Sequence, residues 1–283
     1  MNDFNNTLKI KVQDFVPKHI FECGQCFRWN KVEDKYIGIA GGKVVSVYMA
    51  DEQTLVLGNC TQEDFDGFWH DYFDLSRDYS QIKAELSKDD IMKEAIKFGS
   101  GIRLLKQDFN EVLISFIISA NNRIPRIMKS VETLSALYGK KIFEKYFSFP
   151  SLNILAGLTV DDINLCKAGF RCKYISNTSQ TVSEGHFGSC KVNSHDCVQI
   201  REKLLELSGV GPKVADCIML FSGNDYSSFP TDVWVKRVME ELYFKREASL
   251  KEITKFAHNY WGEYAGFAQQ YLFYYARENG IGK

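Results

Sequence analysis

The hydrophobic period changes near residue 60, and that change limits the chain to a fold with two kinds of layer. Before it, apolar and polar residues alternate in short runs, "LKIKV", "CFRWNKV", "KYIGIA", "KVVSVYM" and "TLVLGN", separated by turn residues at Gly24, Gly41-Gly42 and Asp51-Glu52. A period of two marks half-buried strands, and the short connections predict a small antiparallel sheet. From "TQEDFDGFWHDYF" onward apolar residues recur at helical spacing, and Thr61 with Asp64 has the pattern of a capping box with the shorter acid. Helical patterns then continue through "QDFNEVLISFIISA", "CVQIREKLLELS" and "PKVADCIMLFSG" to "EYAGFAQQYLFYYARENG". The expected architecture is α+β: a strand-rich module over 1–95 with helices toward its end, then a helical region over 96–283. Neither an internal repeat nor a heptad train is present, which argues against a repeat array or a coiled-coil scaffold.

Composition narrows function by exclusion. The 283 residues carry a net charge of −1, so a site for a polyanion has to be a local patch with backbone N–H groups, not a basic surface. No apolar run reaches membrane-spanning length and the N-terminus has no signal-peptide core, which predicts an intracellular protein, in the cytoplasm or nucleoid if prokaryotic and the nucleus if eukaryotic. A monomer is expected. The eight cysteines, Cys190 among them, then read as reduced thiols. Cys23 and Cys26 form a lone CxxC without a second pair or suitably spaced histidines, so they read as two small strand residues and not as a zinc site.

The sharpest local feature is "SGVGPKVADC", Ser208 to Cys217. An amphipathic helix runs to about Leu207 and another begins near Pro212, a favoured first-turn position for proline. Gly209, Val210 and Gly211 between them permit positive φ and close approach of another chain, and the N–H groups of the second helix form an anion site suited to phosphate. Lys213 stands in that helix's first turn, where the dipole opposes a positive charge by about 0.3–1 kcal/mol. The dipole thus lowers an amine's pKa by less than one unit, and burial has to supply the rest of the shift a nucleophile needs. Nineteen residues later, after Pro230, Asp232 falls at the start of another helix, where N–H donors and the dipole favour its anion. Taken singly, the GxG turn fits a plain αα-hairpin and Asp232 a plain cap.

Together, these residues resemble the helix-hairpin-helix DNA glycosylases with a downstream Gly/Pro…Asp element, and within them the 8-oxoguanine DNA glycosylase / abasic-site lyase family. Six blocks carry the resemblance in the family's order: "GQCFRW", "SFIISANNRIPRI", "AGFRCKYI", "LSGVGPKVADC", "PTDVW" and "YAGFAQQYLF". The resemblance implies a TBP-like antiparallel module followed by a helical HhH-GPD fold, acting on double-stranded DNA that contains 8-oxoguanine. It implies Lys213 as the nucleophile that forms a Schiff base with the sugar, and Asp232 as the carboxylate that stabilises positive charge as the base leaves. It places Gly24, through its carbonyl, with Cys217, Gln269 and Phe273 around the extruded base. Asn121 fills the gap left in the duplex, and Arg126, Phe170 and Arg171 surround the opposite base. No cofactor is required, although a monovalent cation on the carbonyls of the hairpin turn is also implied.

The chain departs from the family pattern at Trp234, where eukaryotic members have histidine, at Arg123 and Pro125 in the asparagine block, and at Phe170 in place of tyrosine. Two other functions compete. An alkylated-purine glycosylase shares the layout but typically lacks the lysine, and a non-catalytic hairpin DNA-binding protein would not need both Lys213 and Asp232. No cysteine follows Cys217, which excludes the C-terminal four-cysteine iron–sulfur cluster of many other members.

Overall fold

The alternation of the first sixty residues becomes a five-stranded antiparallel sheet in the computed structural model of the protein, which describes residues 6–185 and 197–282. Cys190 lies outside the described residues. Strands β1 (Thr7–Lys11), β2 (Trp29–Val32), β3 (Lys35–Ala40), β4 (Lys43–Asp51) and β5 (Thr54–Gly58) lie in the order β1-β5-β4-β3-β2. Successive hairpins join β2 to β5, while β1 crosses to the far edge and pairs Thr7 with Gly58. The connection from β1 to β2 carries α1 (Pro17–Phe21), five residues long and too short to show a helical period. Under the sheet sits an aromatic core. Phe21 stacks on Trp29 at 3.8 Å between centroids, Trp29 donates from Nε1 to the Tyr72 hydroxyl at 2.9 Å, and Trp69 and Phe73 close the box.

The helical part starts where its caps say it should. Thr61 and Asp64 exchange side-chain and backbone bonds at the start of α2 (Gln62–Asp64), which runs through a π-turn at 65–69 into α3 (His70–Tyr72). Asp78 caps α4 (Tyr79–Leu86) and Asp89 caps α5 (Asp90–Phe98). Asp108 caps α6 (Phe109–Ser119), whose residues 112–118 are all buried, as expected of a helix apolar on every side. Then follow α7 (Ile124–Tyr138), a hairpin of β6 (Lys141–Phe143) and β7 (Tyr146–Phe147), α8 (Leu152–Ala156), α9 (Val160–Asn164), α10 (Arg171–Ser183) and α11 (Cys197–Glu206). The chain ends with α12 (Pro212–Phe221), α13 (Val233–Met239), α14 (Leu250–Trp261) and α15 (Ala265–Asn279). The β6–β7 hairpin and α8 carry too few residues for their period to show in the sequence.

A division at residue 95 is not where the packing divides. Tyr79, Ile82 and Leu86 of α4, with Met92, Ala95 and Ile96 of α5, belong to the large helical core and not to the core beneath the sheet. Both cores meet along residues 102–105, where Leu104 points into the helical core and Leu105 into the sheet core. Cys23 and Cys26 are not strand residues either. They lie in the turn between α1 and β2 as buried thiols, and burial pushes Cys23 up to about 11.

That turn is held by three amides. Gln25, fully buried, donates from Nε2 to the carbonyls of Arg103 (2.8 Å) and Ile20 (3.0 Å) and accepts on Oε1 from the N–H of Leu105 (2.9 Å). Gln107 donates to the Gln25 carbonyl at 2.8 Å, and Gln270 of α15 to the Cys23 carbonyl at 2.7 Å. Nearby, Arg28 donates to the Phe147 carbonyl at 2.5 Å and faces Glu111 of α6 at 3.7 Å. Replacing Gln25 by leucine would leave buried partners unpaired, at about 1–3 kcal/mol for each group. We expect Gln25→Leu to lose roughly 2–4 kcal/mol in urea unfolding, and a midpoint equal to that of the unchanged protein would contradict this account of the turn.

Candidate active site

The Ser208–Gly211 turn is shaped from beneath by α10. Thr178 donates from Oγ1 to the Ser208 carbonyl at 2.8 Å, and one turn earlier Tyr174 packs against Gly209. Gly209 has φ +81°, and a Cβ there would lie 2.7 Å from Cβ of Tyr174, so conformation and space both require glycine. Gly211 faces open space and caps α12 in extended conformation. The N–H groups of Gly209 and Gly211 donate to no group among the described residues, and those of Lys213 and Val214 are first-turn donors without helical partners. An anion fits this edge. Val210 is different: its side chain is in the core and its N–H donates to the Leu207 carbonyl at 3.1 Å. Its place is therefore to anchor the turn, with only a carbonyl to offer outward. Arg201 of α11 pairs with Asp216 of α12 at 2.7 Å and fixes the angle between the two helices.

Lys213 is half-buried at the second position of α12, with Nζ 5.3 Å from the ring centre of Phe116. Cys217 is one turn further along the same face. Burial pushes its thiol up to about 11, against the pull of the neighbouring Lys213 ammonium and with Asp216 and Asp232 adding to the rise. Asp232 caps α13, Oδ1 accepting from the Val235 N–H at 2.8 Å, and Oδ2 takes no hydrogen bond among the described residues. The cap aims the carboxylate and leaves one oxygen available.

These three side chains line a cavity of about 50 Å³ with Cys23, Gly24, Gln269, Gln270 and Phe273. Every base-pocket residue expected from the sequence is in that lining. Gln269 of α15 is buried, and its Oε1 has no hydrogen-bond partner. An unpaired buried acceptor costs about 1–3 kcal/mol, which is tolerable where a ligand supplies the donor. Gly24 belongs to no hairpin. It has φ +86°, and a Cβ would stand 3.1 Å from the Phe273 ring, so the ring already touches the turn. The carbonyls on either side, of Cys23 and Gln25, are taken by Gln270 and Gln107, while that of Gly24 accepts nothing among the described residues. At about 30 Å³ per water, the cavity holds one or two waters and no ring system. Phe273 keeps it small, its edge against Trp234 at 5.3 Å and the Arg277 guanidinium 5.7 Å from its centre. Trp234 is itself fixed by Nε1 donating to the Ile281 carbonyl at 2.8 Å.

Pro230, read from the sequence as part of the element before Asp232, also lines the cavity, as do Phe116, Phe221 and Val235, which sequence reasoning passed over. These three are apolar members of apolar runs and carry no separate signal. Asn121, expected to enter the duplex, is exposed with φ +49° in the turn from α6 to α7. Arg126 is exposed in the first turns of α7, and Pro125 falls at the start of that helix, where a missing N–H costs nothing. Phe170 is 60% exposed just before α10. Arg171, expected beside the opposite base, is buried, and its guanidinium donates to backbone carbonyls.

Comparison with known proteins identifies the family. Residues 7–113 match the family described as the 8-oxoguanine DNA glycosylase N-terminal domain, and residues 114–263 match the HhH-GPD superfamily of base excision DNA repair proteins. A probable N-glycosylase/DNA lyase of Methanothermobacter thermautotrophicus is 34% identical over 74% of this chain and 74% of its own. The 8-oxoguanine glycosylase/lyase of Clostridium acetobutylicum, solved with duplex DNA containing cytosine opposite 8-oxoG, is 46% identical with a TM-score of 0.89, covering 99% of this chain and 100% of that one. The fold alone extends to the 3-methyladenine DNA glycosylase of Archaeoglobus fulgidus, at 17% identity and a TM-score of 0.76 over 96% of this chain and 98% of that one.

The two hairpin glycines should respond differently to alanine. Gly209→Ala forces left-handed strain and a clash with Tyr174, and roughly 1–3 kcal/mol of stability should be lost. Gly211→Ala should unfold within about 0.5 kcal/mol of the parent yet bind duplex DNA more weakly if the anion that fits this edge is a phosphate, because the new methyl would stand in its way. Calorimetry and a fluorescence-anisotropy titration of each variant check the pair, and equal stability of the two would refute the packing account.

Proposed function

The chain belongs to the 8-oxoguanine glycosylase/lyase family of HhH-GPD base excision repair proteins, and from that premise we infer how its site releases a damaged base and cuts the strand. The observation that carries the reading is the meeting of Lys213, Asp232, Cys217, Gln269, Phe273 and the Gly24 turn around one cavity. The hairpin N–H groups of Gly209 and Gly211 hold a phosphate of duplex DNA. A base within the stack is out of reach, so the damaged nucleotide is extruded toward the cavity and Phe273 moves aside to admit it. Cys217 then covers one face of the purine and Phe273 the other. The Gln269 amide, whose Oε1 has no partner in the free protein, pairs with the Watson–Crick edge. Oxidation turns N7 of guanine from an acceptor into an N–H donor, and the unclaimed Gly24 carbonyl accepts from it. Guanine offers no such donor, and its N7 lone pair would face the carbonyl.

Chemistry follows from the half-buried amine. Bound sugar and base complete the cover over Lys213, and the neutral amine forms a bond to the anomeric carbon as the bond to the base breaks, the base leaving with a proton. Positive charge grows on the sugar in this step, and the free Oδ2 of Asp232 stabilises it. Ring opening gives an imine between Nζ and the sugar. The imine acidifies the adjacent carbon, that proton is lost, and the bond to the 3′ phosphate oxygen breaks by β-elimination. The protein acts in this reading as a monomer on double-stranded DNA. No cofactor enters the reaction. The Gly209 and Val210 carbonyls, which accept nothing among the described residues, fit a monovalent cation that neutralises phosphate charge.

Lys213 separates this reading from an alkylated-purine glycosylase or a hairpin that only binds DNA. We expect Lys213→Gln to keep duplex affinity and lose borohydride trapping on 8-oxoguanine DNA. Asp232→Asn should slow single-turnover base release by about 10²-fold or more, the scale of losing one transition-state electrostatic contact. Full trapping by Lys213→Gln would sink the nucleophile assignment. Tight binding by the parent protein without nicking would favour the binding module.

A further inference from the structure

Three consecutive residues of the α1–β2 turn, Glu22, Cys23 and Gly24, are each held by α15. Gln270 donates from Nε2 to the Cys23 carbonyl at 2.7 Å, Arg277 from Nη2 to the Glu22 carbonyl at 2.5 Å, and the Phe273 ring lies against Gly24. Residues 270, 273 and 277 have helical spacing, so one stripe of α15 makes all three contacts. The three are not equal. Arg277 is only half-buried and also pairs with Glu278 at 3.0 Å, and Phe273 is the ring that moves aside to admit a base. Gln270 is 1% exposed, and its bond is sheltered from water. It also follows directly on Gln269, whose buried Oε1 is left for a ligand.

Gly24 is the residue in the pocket with the least conformational preference of its own. With φ +86° and no Cβ, it can swing its carbonyl widely unless the peptides on either side are fixed. A peptide is planar, so the bond from Gln270 to the Cys23 carbonyl fixes the plane that enters Gly24. Gln107, on the Gln25 carbonyl, and the Gln25 side chain, on Leu105, hold the chain that leaves it. Of these amides, Gln270 alone belongs to the helix that carries Gln269. We propose that Gln270 is a positioning residue for lesion discrimination, tying the Gly24 carbonyl to the reading helix at a fixed span. The N7–H of the lesion and its Watson–Crick edge are then met together, and the span survives when Phe273 swings away. The proposal rests on the glycosylase/lyase reading above. Guanine has no N–H to offer Gly24 and gains nothing from a fixed span, and an abasic sugar brings no base to be measured. Loss of Gln270 therefore costs the lesion alone.

The test uses two duplexes with a 2′-fluorinated target nucleotide, from which the base is not released, carrying 8-oxoguanine or guanine opposite cytosine. A third duplex carries a preformed abasic site. Gln270→Met keeps the volume of the side chain and lacks its donor. It should weaken binding of the 8-oxoguanine duplex, read by fluorescence anisotropy, about five- to tenfold, the scale of one buried hydrogen bond. Binding of the guanine duplex and nicking of the abasic duplex should stay within about twofold of the parent protein. Equal weakening on 8-oxoguanine and guanine, abasic nicking slowed by the same factor, or no weakening at all would overturn the proposal and leave Gln270 as a buried partner of Cys23. If Gln270→Met fails to fold, Gln270→Asn, whose shorter amide falls short of the Cys23 carbonyl, carries the same comparison. A parent protein that binds the 8-oxoguanine and guanine duplexes equally would refute the lesion reading itself, and the positioning role with it. A preference present in the parent and undiminished in the variant would refute the role of Gln270 alone.

Discussion

The buried amide of Gln25 is the constraint from which the site follows. It bonds to Ile20, Arg103 and Leu105, and so fastens the turn between α1 and β2, which enters both cores, to residues 102–105, which enter both as well. Gly24 can face α15 with its carbonyl unclaimed only because its two neighbours are held by other amides. Buried polar groups are costly unless fully paired, and a fully paired network admits a single geometry. The floor of the pocket is therefore set by hydrogen bonds from the protein interior. Its walls come from α6, α12 and α13, placed by ordinary apolar packing.

Around that fixed floor, several of the proposed functional positions break local rules. Lys213 stands at the helix end where cations are disfavoured, Gly209 and Asn121 take left-handed conformations, and Gln269 keeps a buried acceptor unpaired. Each would be a small defect in a protein that merely had to fold. Support lies nearby: Thr178 and Tyr174 support the hairpin, Arg171 supports Asn121, and Asp232 satisfies a cap with one of its two oxygens. Strain and support occur in pairs.

Much of this was readable in the residues. Alternation in "KVVSVYM" and "TLVLGN" sufficed for β4 and β5, and Pro212 and Asp232 marked the starts of α12 and α13 because caps and first-turn prolines act locally. The base-pocket residues were found through the resemblance, since nothing in the spacing of Gly24, Lys213 and Gln269 says that they meet. What escaped was non-local. The division at residue 95 failed because α4 and α5 bury their faces against α15 and its neighbours, a choice that their own amphipathic patterns do not record. The contacts that hold Arg171 were hidden for the same reason, since carbonyls about fifty positions earlier in the chain leave no mark in its local pattern.

The cavity of about 50 Å³ also has a kinetic meaning. On the proposed mechanism, with Phe273 resting on Gly24, the free protein occupies its own binding seat, and a nucleobase competes with an aromatic ring present at high local concentration. Apparent affinity for any base is then the intrinsic affinity scaled by the fraction of time the ring is displaced. On the same mechanism, an undamaged guanine, unable to donate to the Gly24 carbonyl, would have less with which to hold the ring open. A compound fitted to the cavity as it stands would have room for only a few atoms, whereas one that displaces the ring would meet Gly24, Cys217 and Gln269 together.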